Sequence, residues 1–166
     1  MSTYLNPQYF SGPRVEKERF LAADGLTWQA GQFGRFTDSG VVPCKVLATS
    51  IQLQFSETQA AATSSSTVYI ERIASSSTRF IMAVNRSSSG TDTKATAAMI
   101  GGNYGLGVVD CVCVVAKSAD TAANEGLRVQ NLMSNLDGQT YSTDDVPGYV
   151  VVSVIESFRT AEGAGV

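Results

Sequence analysis

The chain has 166 residues and a net charge of −3, and only 16% of its residues are charged because Ser, Thr and Gly fill many positions that charged residues hold in an average domain. This length fits a single domain that buries a core without the help of disulfides or metals. The acidic balance argues against direct binding to nucleic acid, and the complete lack of histidine excludes Ser-His-Asp and Cys-His catalysis.

The first 28 residues differ from the rest of the chain, because they combine aromatic residues and prolines in a spacing that fits neither a strand nor a helix. The aromatic residues are Tyr4, Tyr9, Phe10, Phe20 and Trp28, and the prolines are Pro7 and Pro13. A disordered tail is normally poor in aromatic residues, so this segment is predicted to be an extended arm that packs on a surface. That surface belongs either to a neighbouring molecule or to the arm's own domain. The N-terminus shows no signal-peptide pattern, and no apolar run is long enough to span a membrane.

From Phe33 onwards the pattern becomes that of β-strands. Ile51, Leu53 and Phe55 alternate with polar residues, which predicts a half-buried strand, and Pro43 places the strand before it at a sheet edge or a bulge. The predicted strands are Val41–Ala48, Ile51–Phe55, Thr67–Ile73, Arg79–Val84, Tyr104–Val109, Cys111–Ala116, Leu127–Leu132 and Gly148–Phe158. The last of these is apolar at nearly every position, which predicts a strand covered on both faces. A short helix-like stretch before Gly101 is predicted to end at that glycine.

Short strands at near-regular spacing predict an all-β fold. We expect a single β-barrel, β-tulip-like or sandwich domain with an extended N-terminal arm. The arm is predicted to cover residues 1–28, the domain residues 29–159 and a flexible C-terminal tail residues 160–166. Three loops of low complexity, at residues 60–66, 87–96 and 118–124, are predicted to be exposed tips.

The three cysteines, Cys44, Cys111 and Cys113, are too few for a four-ligand zinc site in a chain without histidine. Cys111 and Cys113 stand two positions apart, so a strand would point both to the same face. We expect free, buried and reduced thiols. No metal and no cofactor are predicted.

Three further features each have two interpretations. The glycines of residues 101–107 precede apolar strand residues, which predicts a turn that enters a bent strand, whereas a phosphate-binding loop would lead into a helix. Asp144 and Asp145 precede Pro147 and are typical of a turn that caps backbone amides, with a calcium site as the alternative. Three arginines near strand ends are expected to be solvated or in surface ion pairs, with contact to an acidic neighbour as the alternative. These arginines are Arg72, Arg79 and Arg86.

Three blocks of residues occur in an order that resembles the decoration, or cement, proteins of tailed bacteriophages. The blocks are Gly31-Gln32-Phe33 with Phe36, the Asp38-Ser39-Gly40 turn and Val41-Val42-Pro43, then Asn103-Tyr104-Gly105-Leu106 before a Val/Cys run, and finally Leu127-Arg128-Val129. The resemblance covers roughly residues 28–158. It implies a structural protein that is not an enzyme, made in the host cytoplasm and located on the outer capsid surface of the virion.

The resemblance also implies partners. It implies a homotrimer that binds the major capsid protein and stabilises contacts between capsomers, with no direct contact to nucleic acid or a membrane. The arm would then supply the capsid and subunit contacts. Its candidate contact residues are Tyr4, Pro7, Tyr9, Phe10, Pro13 and Phe20. The alternative is a carbohydrate- or receptor-binding β-sandwich module of a phage tail or a lectin-like protein.

Overall fold

The computed structural model describes residues 5–23, 25–58, 66–85, 94–117, 124–133 and 148–160. These residues form eleven β-strands, one turn of 3-10 helix at Ala97–Met99 and one α-helix, α1, at Glu156–Arg159. The strands are β1 (Gln8–Ser11), β2 (Glu18–Leu21), β3 (Phe33–Thr37), β4 (Gly40–Pro43), β5 (Leu53–Phe55), β6 (Thr67–Arg72), β7 (Arg79–Asn85), β8 (Asn103–Val109), β9 (Val112–Ala116), β10 (Leu127–Met133) and β11 (Tyr149–Val154). The predicted all-β fold is confirmed.

Six strands form the first sheet, in the order β1-β7-β11-β10-β8-β9. Strand β7 pairs with β11 along one side, and its other side is shared by β1 at its start and by β9 at its end. The parallel pairing of Val84 and Asn85 with Val115 and Ala116 therefore closes five of the strands into a ring. Strand β1 covers the part of the β7 edge that β9 does not reach.

The other five strands form the second sheet, in the order β2-β6-β5-β3-β4. Its two end strands approach each other at the parallel bridge between Ala22 and Val41, where the Ala23 N–H donates to the Val41 carbonyl at 3.1 Å. Pro43 lies in the edge strand β4, as predicted, because it cannot donate a hydrogen bond to a neighbouring strand.

Two large apolar clusters form the core. The larger lies inside the ring of the first sheet and reaches the second sheet through Phe33, whose ring meets Phe80 edge-on at 5.1 Å. The smaller lies inside the second sheet, where Trp28 is 1% exposed and stacks on Phe55 at 4.6 Å between ring centroids. Residues 150–154 are buried on both faces of β11, as their apolar run predicts.

The sequence placed several element ends incorrectly. The predicted strand Val41–Ala48 stops at Pro43. The predicted strand Gly148–Phe158 ends at Val154, because the chain turns there into α1 and buries Phe158 in the larger cluster. The predicted turn before β8 is confirmed, and Gly101 has φ of +81° there, a conformation that glycine adopts without steric cost.

The segment predicted as an arm is part of the same body of the protein. Strands β1 and β2 each pair with a strand of their own domain, and Ala22 and Trp28 lie in its core. Of the two surfaces left open by the sequence, the described residues therefore pack on the arm's own domain. The predicted boundary at residue 28 falls inside the core, and residues 161–166 of the predicted tail lie outside the described residues, as do Arg86, Asp144, Asp145 and most of the three low-complexity loops.

Candidate partner-binding surface

Residues 5–22 form a continuous strap across both sheets, and we call this segment the N-terminal strap. It pairs with the first sheet through β1 and with the second sheet through β2. Between the two strands, residues 13–17 run as exposed, irregular backbone. The strap therefore fastens the two sheets to each other and presents its other side to solvent.

The first fastening of the strap is a pair of side-chain amides. The Asn6 amide accepts a hydrogen bond from the Cys113 N–H at 2.9 Å and donates to the Cys111 carbonyl at 3.4 Å, which holds it to the hairpin between β8 and β9. The Gln54 amide donates to the Pro7 carbonyl at 2.6 Å. These contacts satisfy backbone groups that sheet pairing leaves free.

The second fastening lies after β1, where the strap passes close to the turn before β7. Gly12 has φ of +96°, and a Cβ there would lie 2.4 Å from the Ser77 carbonyl oxygen, so only glycine fits. The Thr78 hydroxyl donates to the Pro13 carbonyl at 2.5 Å, and the Tyr9 hydroxyl donates to the Gly12 carbonyl at 2.6 Å. The contacts of Tyr9 and Pro13 thus hold the backbone of the strap in place at this point.

The third fastening is electrostatic. The Arg14 guanidinium donates two hydrogen bonds to the Glu71 carboxylate, at 2.9 and 2.6 Å, and lies 4.3 Å from the Tyr9 ring centroid. The hydrogen bond to Glu71 raises the pKa of Arg14 above its ordinary value. Because Arg14 is half exposed, solvent screening limits such a pair to about 0–1 kcal/mol of stability.

The last part of the strap, β2, is an end strand of the second sheet, and its Phe20 packs against a ring of β3. The Phe20 ring meets Phe36 edge-on at 5.1 Å, and the Arg72 guanidinium lies over both rings at 5.0 and 4.6 Å from their centroids. Arg72 also donates to the Glu18 carboxylate at 2.7 Å. The expectation of a surface ion pair at Arg72 is therefore met, and Phe20 has its contacts within its own domain.

The outward side of the strap carries several exposed apolar side chains, which stand among exposed charged residues such as Glu16 and Lys17. Among the described residues, seven large apolar side chains are exposed, and four of them belong to the strap. These four are Leu5, Phe10, Val15 and Leu21, with exposed fractions between 39% and 54%. Exposed apolar side chains that share one surface segment make that segment a candidate for contact with another molecule.

The candidate contact residues named from the sequence thus separate into three groups. Phe10 is exposed and free to contact a partner. Pro7, Tyr9, Pro13 and Phe20 hold or shape the strap, although Pro13 itself is exposed, and Tyr4 lies outside the described residues. Leu5, Val15 and Leu21 are further exposed apolar residues that the sequence does not mark, because they are not aromatic and follow no periodic pattern.

A groove of about 500 Å³ lies beside the strap, between β2 and the turn joining β3 to β4. Its lining includes Phe20, Phe36 and Asp38, a combination that resembles a sugar site. The two rings meet edge-on and Arg72 covers both. Arg72 therefore already occupies one face of each ring on which a sugar could stack.

The prediction of buried thiols holds for two of the three cysteines, since Cys111 is only half-buried. Cys44 and Cys113 are buried, and burial raises the pKa of the Cys44 thiol well above its ordinary value and that of Cys113 to about 12. Cys111 has φ of +64° in the turn before β9, so the predicted strand placement beside Cys113 is wrong and the two thiols do not share a strand face. All three are free of disulfides.

Within the described ranges, no three side chains of Cys, Asp or Glu come together as a metal site. No helix in the described part of the chain is long and apolar enough to cross a membrane. Comparison of the chain with protein-family models, with curated proteins and with solved structures finds no match.

Proposed function

We propose that this chain is a structural protein of a tailed-phage virion that binds the outer capsid surface and stabilises contacts between capsomers. The sequence resemblance to decoration proteins motivates the proposal. The observation that carries it is the N-terminal strap, which is fastened to both sheets and exposes four large apolar side chains. Apolar side chains held in place on a folded segment bind a partner without first losing the conformational entropy of a loose arm.

The energy available to such a contact follows from the exposed side chains. Burying a fully exposed side chain of this size yields about 1.5–3 kcal/mol. Leu5, Phe10, Val15 and Leu21 are each about half exposed in the free protein, so each has roughly 1 kcal/mol left to gain. One strap is therefore a weak binder.

Several straps acting together overcome this weakness. In a trimer, binding of one strap raises the effective concentration of the other two, and the combined affinity exceeds that of a single contact by orders of magnitude. We accordingly propose a homotrimer whose partner is the major capsid protein. A lattice that binds three straps at once is also held together by them, which is the stabilising effect of a cement protein.

The test compares two double variants on capsids assembled without this chain. Phe10→Ser with Leu21→Ser removes two exposed apolar side chains from the strap, and Val46→Ser with Ile100→Ser removes two equally exposed ones elsewhere. None of the four side chains is buried, so both proteins are expected to fold. Co-sedimentation with capsids measures binding, and circular dichroism checks the fold.

We expect the strap variant to bind at least tenfold more weakly than the unaltered chain, since loss of about 1 kcal/mol at two positions is repeated in every subunit. The control variant should bind as the unaltered chain does. Equal binding by both variants, or no binding of the unaltered chain to capsids, would refute the proposal. Capture of the unaltered chain on a glycan array would favour the carbohydrate-binding alternative.

A further inference from the structure

A row of polar residues crosses the outer face of the first sheet at one level. The strand registers pair Ser11 with Arg79, Arg79 with Ser153, Ser153 with Arg128, and Arg128 with Asn103. Directly opposed residues of antiparallel strands point to the same face of a sheet. We call these five residues the arginine row.

The row faces away from the core. The neighbours Phe80, Val152, Val154, Leu127 and Val129 all belong to the larger core cluster, so the row residues between and beside them point outward. Arg79, Arg128 and Asn103 are exposed, whereas Ser153 between the two arginines is 4% exposed. The row thus has a recessed serine at its centre and an exposed arginine on each side.

Neither guanidinium of the row is neutralised in the described part of the chain. Arg14, Arg72 and Arg159 each pair with a glutamate, but neither Arg79 nor Arg128 forms an ion pair there. The one carboxylate that lines the adjoining groove of about 280 Å³ is Glu156, which is held by Arg159. Two unpaired arginines therefore stand together on a protein whose net charge is −3.

The centre and one end of the row add uncharged polar groups beside the two guanidinium groups. The Gln130 amide donates to the Ser153 hydroxyl at 2.9 Å, which orients both side chains, and Asn103 ends the row with a second amide. Adjacent strands lie about 4.8 Å apart, so the two arginines, two strands apart, have Cα atoms about 10 Å from each other. Three residues of an extended peptide span the same length.

We propose that the arginine row binds an acidic, extended peptide segment of a partner protein, with two carboxylates about three residues apart that each meet one guanidinium. Guanidinium groups match carboxylates through two parallel hydrogen bonds. A peptide with a few carboxylates fits the row better than a nucleic acid, because the net negative charge of the protein repels a dense polyanion. This site is distinct from the apolar side chains of the strap, and the proposal does not depend on capsid binding.

The test uses a synthetic peptide of four Glu-Ser-Ser repeats and an equal peptide with Gln in place of Glu. Isothermal titration calorimetry at low salt measures affinity, and NMR amide shifts of Asn103 and Ser153 locate the contact. The variant Arg79→Gln with Arg128→Gln removes both charges of the row. The control variant Lys17→Gln with Lys45→Gln removes two exposed positive charges elsewhere, so it has the same net charge as the row variant.

We expect the Glu peptide to bind the unaltered chain and to shift the amides of the row, whereas the Gln peptide does neither. The row variant should bind about tenfold more weakly and the lysine variant almost unchanged, and added salt should weaken binding. Failure of the Glu peptide to bind, or equal losses in both variants, would overturn the proposal. Binding of a single-stranded oligonucleotide through the row in place of the peptide would also overturn it.

Discussion

At the scale of single residues, the buried thiol of Cys113 contributes to the way stability depends on pH. Its sulfur accepts the Phe33 N–H at 3.4 Å within the core, and burial raises the pKa of the thiol to about 12. Below the ordinary thiol pKa the folded and unfolded chains both keep the proton. Between that value and about 12 only the folded chain keeps it, so stability falls as pH rises through this window.

We predict that Cys113→Ala removes this part of the pH dependence. One such proton corresponds to about 1.4 kcal/mol per pH unit, so the free energy of unfolding should fall less steeply with pH in the variant by up to that amount. Urea denaturation between pH 8 and 10.5 measures the slope. The cavity left by the sulfur lowers stability by the same amount at every pH and does not alter the slope. Parallel slopes for the two proteins would contradict the prediction.

At the scale of elements, the fastening of β1 by Asn6 gives a local prediction. Asn6→Ala leaves the Cys113 N–H without the acceptor it has at 2.9 Å, and an unsatisfied buried donor costs about 1–3 kcal/mol. We expect faster amide hydrogen exchange at Cys113 and in β1, with little change in the ring strands β10 and β11. Gln8→Ala, at an exposed position of β1, is the matched control and should leave exchange unchanged. Equal effects of both variants would contradict this role of Asn6.

The elements also show how much of the fold the sequence carries. Strands such as β5 and β11 were predictable, because alternation or a continuous apolar run is written in consecutive residues. Strands β1 and β2 were not, because each has four residues and forms only by pairing with β7 and β6 far along the chain. The turn before β9 has positive φ at both Asp110 and Cys111. Aspartate adopts this conformation comparatively often, but cysteine rarely does, so the sequence alone extends the strand through Cys111.

The sequence also predicts only part of the candidate partner-binding surface. The sequence marked the N-terminal segment as unusual through its aromatic residues, and Phe10 is indeed exposed. It did not separate residues that face a partner from residues that hold the strap. That separation depends on contacts such as Arg72 over Phe20 and Thr78 to Pro13, which join residues more than fifty positions apart.

At the scale of the whole molecule, the two sheets are joined by the larger apolar cluster and by the strap that crosses both of them. Phe33 of the second sheet packs in that cluster against Phe80 of the first, and the Arg14–Glu71 pair links strap and second sheet from outside. A body fastened in this way presents the exposed apolar side chains of the strap in a fixed place. Such rigidity suits a protein whose proposed task is to hold other subunits in position.

The most direct test of the proposed function is a cryo-electron microscopy map of an intact particle that carries this chain. We predict the domain on the outer capsid surface, in groups of three between capsomers, with Phe10 and Leu21 of the strap buried against the major capsid protein. Density for the domain on the tail, or on the capsid with the strap turned to solvent, would contradict the account.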